Sequence, residues 1–93
     1  MSLYLVSYDL AKYEGPEYEA LQKTLKDQKA IQILYSEWLI KAGIDYAQDL
    51  YDLLLPFVPT KCLLVQEVTK KARFGKLLIS DETMDALLLA ARP

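Results

Sequence analysis

The hydrophobic pattern of this chain changes from the period of a strand to that of a helix and back again, twice. Residues 3 to 9 are rich in Leu, Val and Tyr and predict a first strand. Tyr18, Leu21 and Leu25 then recur at helical spacing and predict an amphipathic helix of about 13 residues that begins near Pro16. Because a segment with one period does not settle into the other structure, the pattern favours a mixed α and β fold.

The rest of the chain repeats this order. Apolar residues alternate on both sides of "YSE" within residues 31 to 40, which predicts two short strands in a hairpin. Asp45 and Gln48 resemble a capping box at the start of a second helix. Residues 61 to 68 predict a fourth strand, and a short apolar "LLI" and a helix from about Asp81 follow it.

This order predicts a single ferredoxin-like α+β domain over residues 1–93, with the succession β-α-β-β-α-β and a C-terminal strand and helix extension. In that arrangement the helices cover one face of the sheet. The first strand nevertheless has apolar side chains on both faces, with Leu3 and Leu5 on one and Val6 and Tyr8 on the other. A second subunit or the C-terminal segment must therefore cover the second face. The second subunit is the simpler cover, so a homodimer is expected.

Composition narrows the classes of function. No apolar run approaches the roughly 18 residues of a membrane-spanning helix. The N-terminus lacks the parts of a signal peptide, and the lone Cys62 has no partner for a disulfide, so a soluble cytoplasmic protein without membrane contact is expected. The net charge of −2 requires any nucleic-acid contact to be local. The absence of histidine excludes imidazole catalysis.

Asp9 ends the first strand and is the first candidate for chemistry. Because an ionised carboxylate is costly to bury, Asp9 should lie at the exposed strand end, accept hydrogen bonds from backbone N–H groups, or meet a cation. Mg²⁺ is commonly held by one or two carboxylates together with waters and substrate phosphates. Two interpretations stay open, a structural turn residue and a metal ligand. Ser7 shares the strand face of Asp9 and is at most a helper.

The one basic cluster is the segment from Lys70 to Lys76, called the basic loop below, with Lys70, Lys71, Arg73 and Lys76 around Phe74. Cations interleaved with an aromatic ring suit phosphate contact and base stacking, which makes these five residues the candidate nucleic-acid-binding set. The same composition is that of a solvated connector, and this alternative also stays open.

Two further features have structural interpretations. Tyr4, Tyr8, Tyr35 and Trp38 have a spacing that fits core or dimer packing better than a stacking platform. Cys62 lies among leucines on the fourth strand and is predicted to be a buried, inert thiol.

Three pieces of the sequence resemble a known family: a hydrophobic-Ser-Tyr-Asp run at residues 6 to 9, Ser36 with Trp38, and "LLVQEVT" at residues 63 to 69. Over roughly residues 3 to 80, the chain resembles the SinR-like small proteins. These are grouped with the small CRISPR adaptation protein and the VapD-type ribonuclease toxins. The resemblance implies a ferredoxin-like homodimer, which is a metal-dependent nuclease in some members and a non-catalytic scaffold on DNA in others.

The metal-binding aspartate of that superfamily would fall on Asp9, so the resemblance implies that Asp9 is both a Mg²⁺ ligand and a catalytic residue. Two hypotheses of different classes follow. In the first, a homodimeric nuclease-like protein cleaves RNA or DNA, and the basic loop contacts the substrate. In the second, the same dimer is a non-enzymatic module that binds nucleic acid or protein, and Asp9 is purely structural.

Overall fold

The computed structural model describes all residues from Met1 to Pro93. Its regular elements are, in chain order, β1 (Ser2–Asp9), α1 (Pro16–Asp27), β2 (Ile31–Leu34), β3 (Glu37–Ala42), α2 (Ala47–Leu54), β4 (Cys62–Val68) and α3 (Asp81–Leu88). A short 3₁₀ turn, Leu55–Phe57, extends α2. The mixed α+β class is therefore confirmed.

The four strands form one antiparallel sheet in the spatial order β2-β3-β1-β4. The central strand β1 pairs with β3 on one side and with β4 on the other, and the register to β4 runs without interruption from Leu3 opposite Val68 to Asp9 opposite Cys62. The edge strand β2 is short and has an irregularity between Gln32 and Leu34. From β1 to β4, the strands and helices follow one another along the chain as the sequence predicts.

Helices α1 and α2 cover the first face of the sheet. Leu21 and Leu25 of α1 and Leu50 and Leu54 of α2 are buried, and each pair is spaced by one helical turn. They pack against sheet residues Tyr4, Val6, Tyr8, Trp38, Ile40 and Ala42. The predicted helix faces therefore form the main hydrophobic core.

The C-terminal segment, residues 77 to 93, covers much of the second face. Met84, Leu87 and Ala91 are buried and form a second cluster with Leu3, Ile33 and Leu39 of the sheet. Of the two covers that the sequence allows for this face, the structure shows the C-terminal segment. The apolar second face is consequently no argument for a homodimer, which corrects the preference for a second subunit.

Hydrogen bonds and one ion pair hold the C-terminal segment in place. The Leu78 N–H donates to the carbonyl of Ile33 in edge strand β2 (2.8 Å), and the Lys70 N–H donates to the carbonyl of Arg92 (2.9 Å). The Arg92 guanidinium forms a two-pronged ion pair with Glu67, and the bonds from Arg92 lower the pKa of that carboxyl. Both ends of the segment are thus tied to the sheet.

Two predicted details differ in the structure. The "LLI" segment is not a strand: the bond from Leu78 to Ile33 is its one backbone hydrogen bond to β2, and Leu77 and Ile79 pack on the second cluster. The helix after it is capped as expected, since Ser80 Oγ accepts a hydrogen bond from the Thr83 N–H (3.1 Å).

The predicted capping box at α2 is also wrong. Asp45 adopts a positive φ of 59°, which aspartate tolerates, and therefore precedes the helix without capping it. Gln48 donates instead to Asp52 (2.9 Å). The connection is fixed from the sheet, because the buried Tyr4 hydroxyl donates to the Gly43 carbonyl (2.7 Å) and accepts from the Tyr46 N–H (2.8 Å).

Candidate functional site

Asp9 lies at the exposed end of β1, on the second face of the sheet. Its backbone carbonyl accepts a hydrogen bond from the Thr60 hydroxyl, which joins the end of β1 to the segment before β4. The carboxylate itself forms no hydrogen bond or ion pair within the chain. The backbone N–H partners expected for a structural turn residue are therefore not found.

The side chains near Asp9 supply at most part of a metal site within one chain. No group of three His, Cys, Asp or Glu side chains lies close enough together to hold a metal ion. Ser7, on the same strand face, is half-buried and has no side-chain hydrogen bond. Asp9 is thus a single carboxylate that is free for an external partner.

Cys62 lies directly opposite Asp9 in the sheet and is exposed, so the predicted buried thiol is wrong. The second cluster reaches only as far along β1 as Leu5, and Cys62 at the start of β4 lies beyond it. Its neighbours in the sequence are apolar, but Cys62 is exposed because the C-terminal segment does not extend over this part of the sheet face. Leu64, two residues further on, is also half exposed, at 52%.

The four cations of the basic loop are all exposed, and none of them forms an ion pair. The acidic residues at the start of α3, Asp81 and Glu82, do not pair with them. Phe74 differs from the cations, because its half-buried ring packs against the second cluster. The ring anchors the loop, and its role in base stacking stays a prediction.

Asp9 and the basic loop lie at opposite ends of the sheet. Asp9 is opposite Cys62 at the start of β4, and Lys70 follows the other end of that strand. Six residue steps of about 3.3 Å put roughly 20 Å between the two ends of β4, and Lys70 lies beyond the far end. The structure therefore does not bring the predicted metal ligand and the predicted phosphate contacts into one site within a chain.

An aromatic cluster surrounds the Asp9 end of the first core. Tyr13 is at its centre, with ring-centroid distances of 6.5 Å to Tyr8, 5.7 Å to Tyr18 and 4.8 Å to Tyr35. Trp38 Nε1–H donates to the Tyr8 hydroxyl (2.9 Å), and burial raises the pKa of Tyr8 to about 12. Packing is confirmed for the predicted aromatic residues of the core, although Tyr35 remains 62% exposed.

Tyr13 and Tyr18 belong to this cluster although the sequence pattern does not indicate it. Tyr13 lies in an irregular turn, where no periodicity assigns a face, and its hydroxyl accepts a hydrogen bond from the Leu10 N–H (3.2 Å). The aromatic ring in the otherwise polar turn "AKYEGPE" was the available signal.

A cleft lies beside the Asp9 end, between the turn after β1, the start of α1 and the segment before β4. It has a volume of about 170 Å³, and its lining includes Leu10, Tyr18, Phe57, Lys12 and Glu17. Ligand sites for small molecules usually have volumes of roughly 300–1,000 Å³, so this cleft does not by itself form a cofactor pocket.

No helix in the structure is both long and apolar enough to cross a membrane. Comparisons of the chain with family models, curated proteins and solved structures found no match.

Proposed function

We propose that this protein is a nucleic-acid-binding module whose contact surface is the basic loop. The observation that carries the proposal is the state of its four cations, which are all exposed and unpaired in a chain of net charge −2. Unpaired Lys and Arg side chains can neutralise phosphates and release their counterions, which drives binding to nucleic acid.

The attachment of the basic loop supports this function. The loop is tied at its start by the hydrogen bond between Lys70 and Arg92, in its middle by the packed ring of Phe74, and after its end by the hydrogen bond between Leu78 and Ile33. A loop held at three points loses little conformational freedom when it binds a partner. The cations are therefore presented on an ordered segment.

The salt dependence of binding tests the proposal. Four phosphate contacts predict a slope of log K against log salt of about −3 for a single strand. We expect fluorescence anisotropy with labelled single-stranded RNA to show this slope between about 50 and 200 mM salt. Replacing Lys70, Lys71 and Arg73 with Gln should weaken binding and reduce the slope to about −1.

A matched control changes the net charge equally at a different place. Lys26, Lys29 and Lys41 are exposed and form no ion pair, and they lie outside the basic loop and away from Asp9. Replacing these three residues with Gln should leave the slope near its native value. Absence of binding by the native protein at low salt, or equal losses in both triple variants, would show that the loop is only a solvated connector.

Metal-dependent cleavage of RNA or DNA is the second candidate function, and the free carboxylate of Asp9 favours it. A single carboxylate needs a second protein donor or substrate phosphates to complete a Mg²⁺ site. The test is cleavage of single-stranded RNA and duplex DNA with Mg²⁺ or Mn²⁺ by the native protein and by Asp9→Asn. Cleavage that the substitution abolishes supports an enzyme, whereas absent or unchanged cleavage leaves the binding module.

We also propose the finer fold assignment, a ferredoxin-like domain, and with it the resemblance to the SinR-like small proteins. The β-α-β-β-α-β order and the placement of α1 and α2 on one sheet face support the fold. The resemblance rests on the sequence pieces that end at Asp9, Trp38 and Thr69.

A further inference from the structure

The two edges of the sheet differ in how they are protected. At the β2 edge the strand is short and irregular, and the Leu78 N–H occupies the Ile33 carbonyl. At the other edge β4 has seven residues and pairs only with β1. Natural sheets usually protect such an edge with charges, prolines, bulges or a covering segment. Between Cys62 and Gln66, β4 has no charge or proline, and its register has no bulge.

The hydrogen-bond pattern identifies the backbone groups of β4 that point away from the sheet. The Tyr8 N–H donates to Ser36 on the β3 side (3.1 Å), so the alternate residues Ser7 and Asp9 point toward β4. Their partners in β4, Leu64 and Cys62, therefore point back toward β1.

By the same alternation, Leu63, Val65 and Glu67 direct their backbone groups outward. The Leu63 N–H agrees with this assignment, because it donates to the Lys61 carbonyl instead of to β1 (3.1 Å). No loop, turn or cap residue forms a hydrogen bond with the backbone N–H or C=O of Val65 or Glu67.

We propose that two copies of this chain pair antiparallel along β4, about a two-fold axis at Val65. Val65 is the middle residue of the strand and is one of the outward-pointing residues, so the edge is complementary to itself, as a two-fold interface requires. The two Val65 residues exchange both hydrogen bonds, and each Glu67 N–H donates to Leu63 of the second copy. Leu64, which is 52% exposed, lies opposite Gln66 of the second copy and becomes covered.

This pairing joins two features that are separate within one chain, and this step depends on the nucleic-acid-binding function proposed above. In the antiparallel pair, Val68 lies opposite Cys62 of the second copy, next to that copy's Asp9. Two strand spacings place Val68 about 10 Å from this Asp9, and Lys70 follows Val68 by two residues, whereas the two ends of β4 are roughly 20 Å apart within a chain. The dimer thus places the start of each basic loop beside the other copy's Asp9.

The same geometry keeps the two Asp9 residues apart. They lie three strand spacings apart laterally and on opposite sides of the two-fold axis, which amounts to about 25 Å. Two carboxylates at this separation cannot share one cation. A composite surface in this dimer therefore combines Asp9 with the cations of the other copy and not with the other Asp9.

Sedimentation velocity tests the interface. The native protein should sediment as a dimer of about twice 10.6 kDa. Val65→Pro removes the central outward N–H, which an edge strand tolerates, and should give a monomer that keeps its circular dichroism. Leu64→Lys should also raise the dimer dissociation constant at least tenfold. The matched control is Leu78→Lys, because Leu78 is 64% exposed at the opposite edge and its replacement should leave the dimer intact.

Disulfide trapping tests the register independently of stability. In a Cys62→Ser background, Leu64→Cys and Gln66→Cys create thiols whose Cα atoms would be about 4.5 Å apart across the interface, within disulfide range. Two copies of the same variant would place their thiols about 8 Å apart, which is too far. A mixture of the two variants should therefore form crosslinked heterodimers, while each variant alone should stay uncrosslinked.

Failure of the interface and failure of the proposed function give different results. A monomeric native protein at high micromolar concentration, or equal crosslinking in the mixture and in the separate variants, would overturn the β4 pairing. If the dimer forms and is trapped but RNA does not bind, the interface stands and the nucleic-acid-binding function fails. If both hold, Val65→Pro should weaken RNA binding at least tenfold, and unchanged RNA binding by this monomer would overturn the composite surface.

Discussion

Leu87→Ala tests whether the C-terminal segment is an integral part of the fold. Leu87 is 5% exposed and packs with Met84 and Ala91 on the second face of the sheet. Truncation of a buried leucine to alanine costs about 2–5 kcal/mol, depending on how well the site collapses. Leu87 lies in a small cluster near the surface, where collapse is easier, so we expect a loss of about 2–3 kcal/mol in the free energy of unfolding. For a domain of this size that loss lowers Tm by about 10–20 °C.

Leu89→Ala is the matched control, because it makes the same chemical change two residues away at a side chain that is 77% exposed. This variant should change the free energy of unfolding by less than about 0.5 kcal/mol. Urea unfolding, followed by the fluorescence of the single buried Trp38 and by circular dichroism, measures both variants. Equal stabilities of Leu87→Ala and Leu89→Ala would refute the packing of α3 on the sheet.

Three further outcomes follow from the hydrogen bonds and ionisable groups of the fold. Burial raises the pKa of Tyr8 to about 12, so the stabilising contribution of its neutral form is complete below pH 10 and is lost as pH rises toward 12. Urea unfolding of the native protein should show a loss of about 2 kcal/mol in the free energy of unfolding over that pH range. Tyr8→Phe should lack this loss. Hydrogen bonds from Arg92 lower the pKa of Glu67, so their contribution is present above the ordinary Glu pKa near 4.5 and disappears as pH falls through the lowered value. Protection factors for hydrogen exchange in the last turn of α3 should fall over that acid range in the native protein and not in Glu67→Gln. Tyr4→Phe should lower stability by about 1–3 kcal/mol, because it removes both hydrogen bonds of a buried hydroxyl; an unchanged Tm would contradict that role.

The sequence predicts the parts of this fold that depend on local periodicity. The strand from residue 3, the helix face of Leu21 and Leu25 and the hairpin around Tyr35 all depend on the spacing of apolar residues, and the structure contains all three. Apolar residues on both faces of β1 correctly indicate that both faces are covered.

The errors concern choices that local pattern does not determine. The pattern shows that the second sheet face needs a cover, but it does not choose between a second copy and α3. The exposure of Cys62 depends on where that cover stops. At α2, the hydroxyl of Tyr4 in a distant strand replaces the predicted cap of Asp45.

The candidate site was predictable only as separate residues. The positions of Asp9 at a strand end and of the basic loop after β4 follow from the order of elements. Their separation depends on the antiparallel register of β1 and β4, which places the end of one strand beside the start of the other. A sequence pattern does not contain that register.

The cover of the second face also affects the order in which the protein can complete its fold during synthesis. All four strands have been made once Val68 is added, but Met84, Leu87 and Ala91 come later in the chain. At about 5–20 residues per second, the ribosome needs roughly 1 to 5 s more to produce them. Until these residues pack on the sheet, Leu3 and Leu39 lack their cover, and the β4 edge is also open. A released chain that ends after Val68 would therefore expose the second face of the sheet together with an open strand edge, which would make it prone to aggregate.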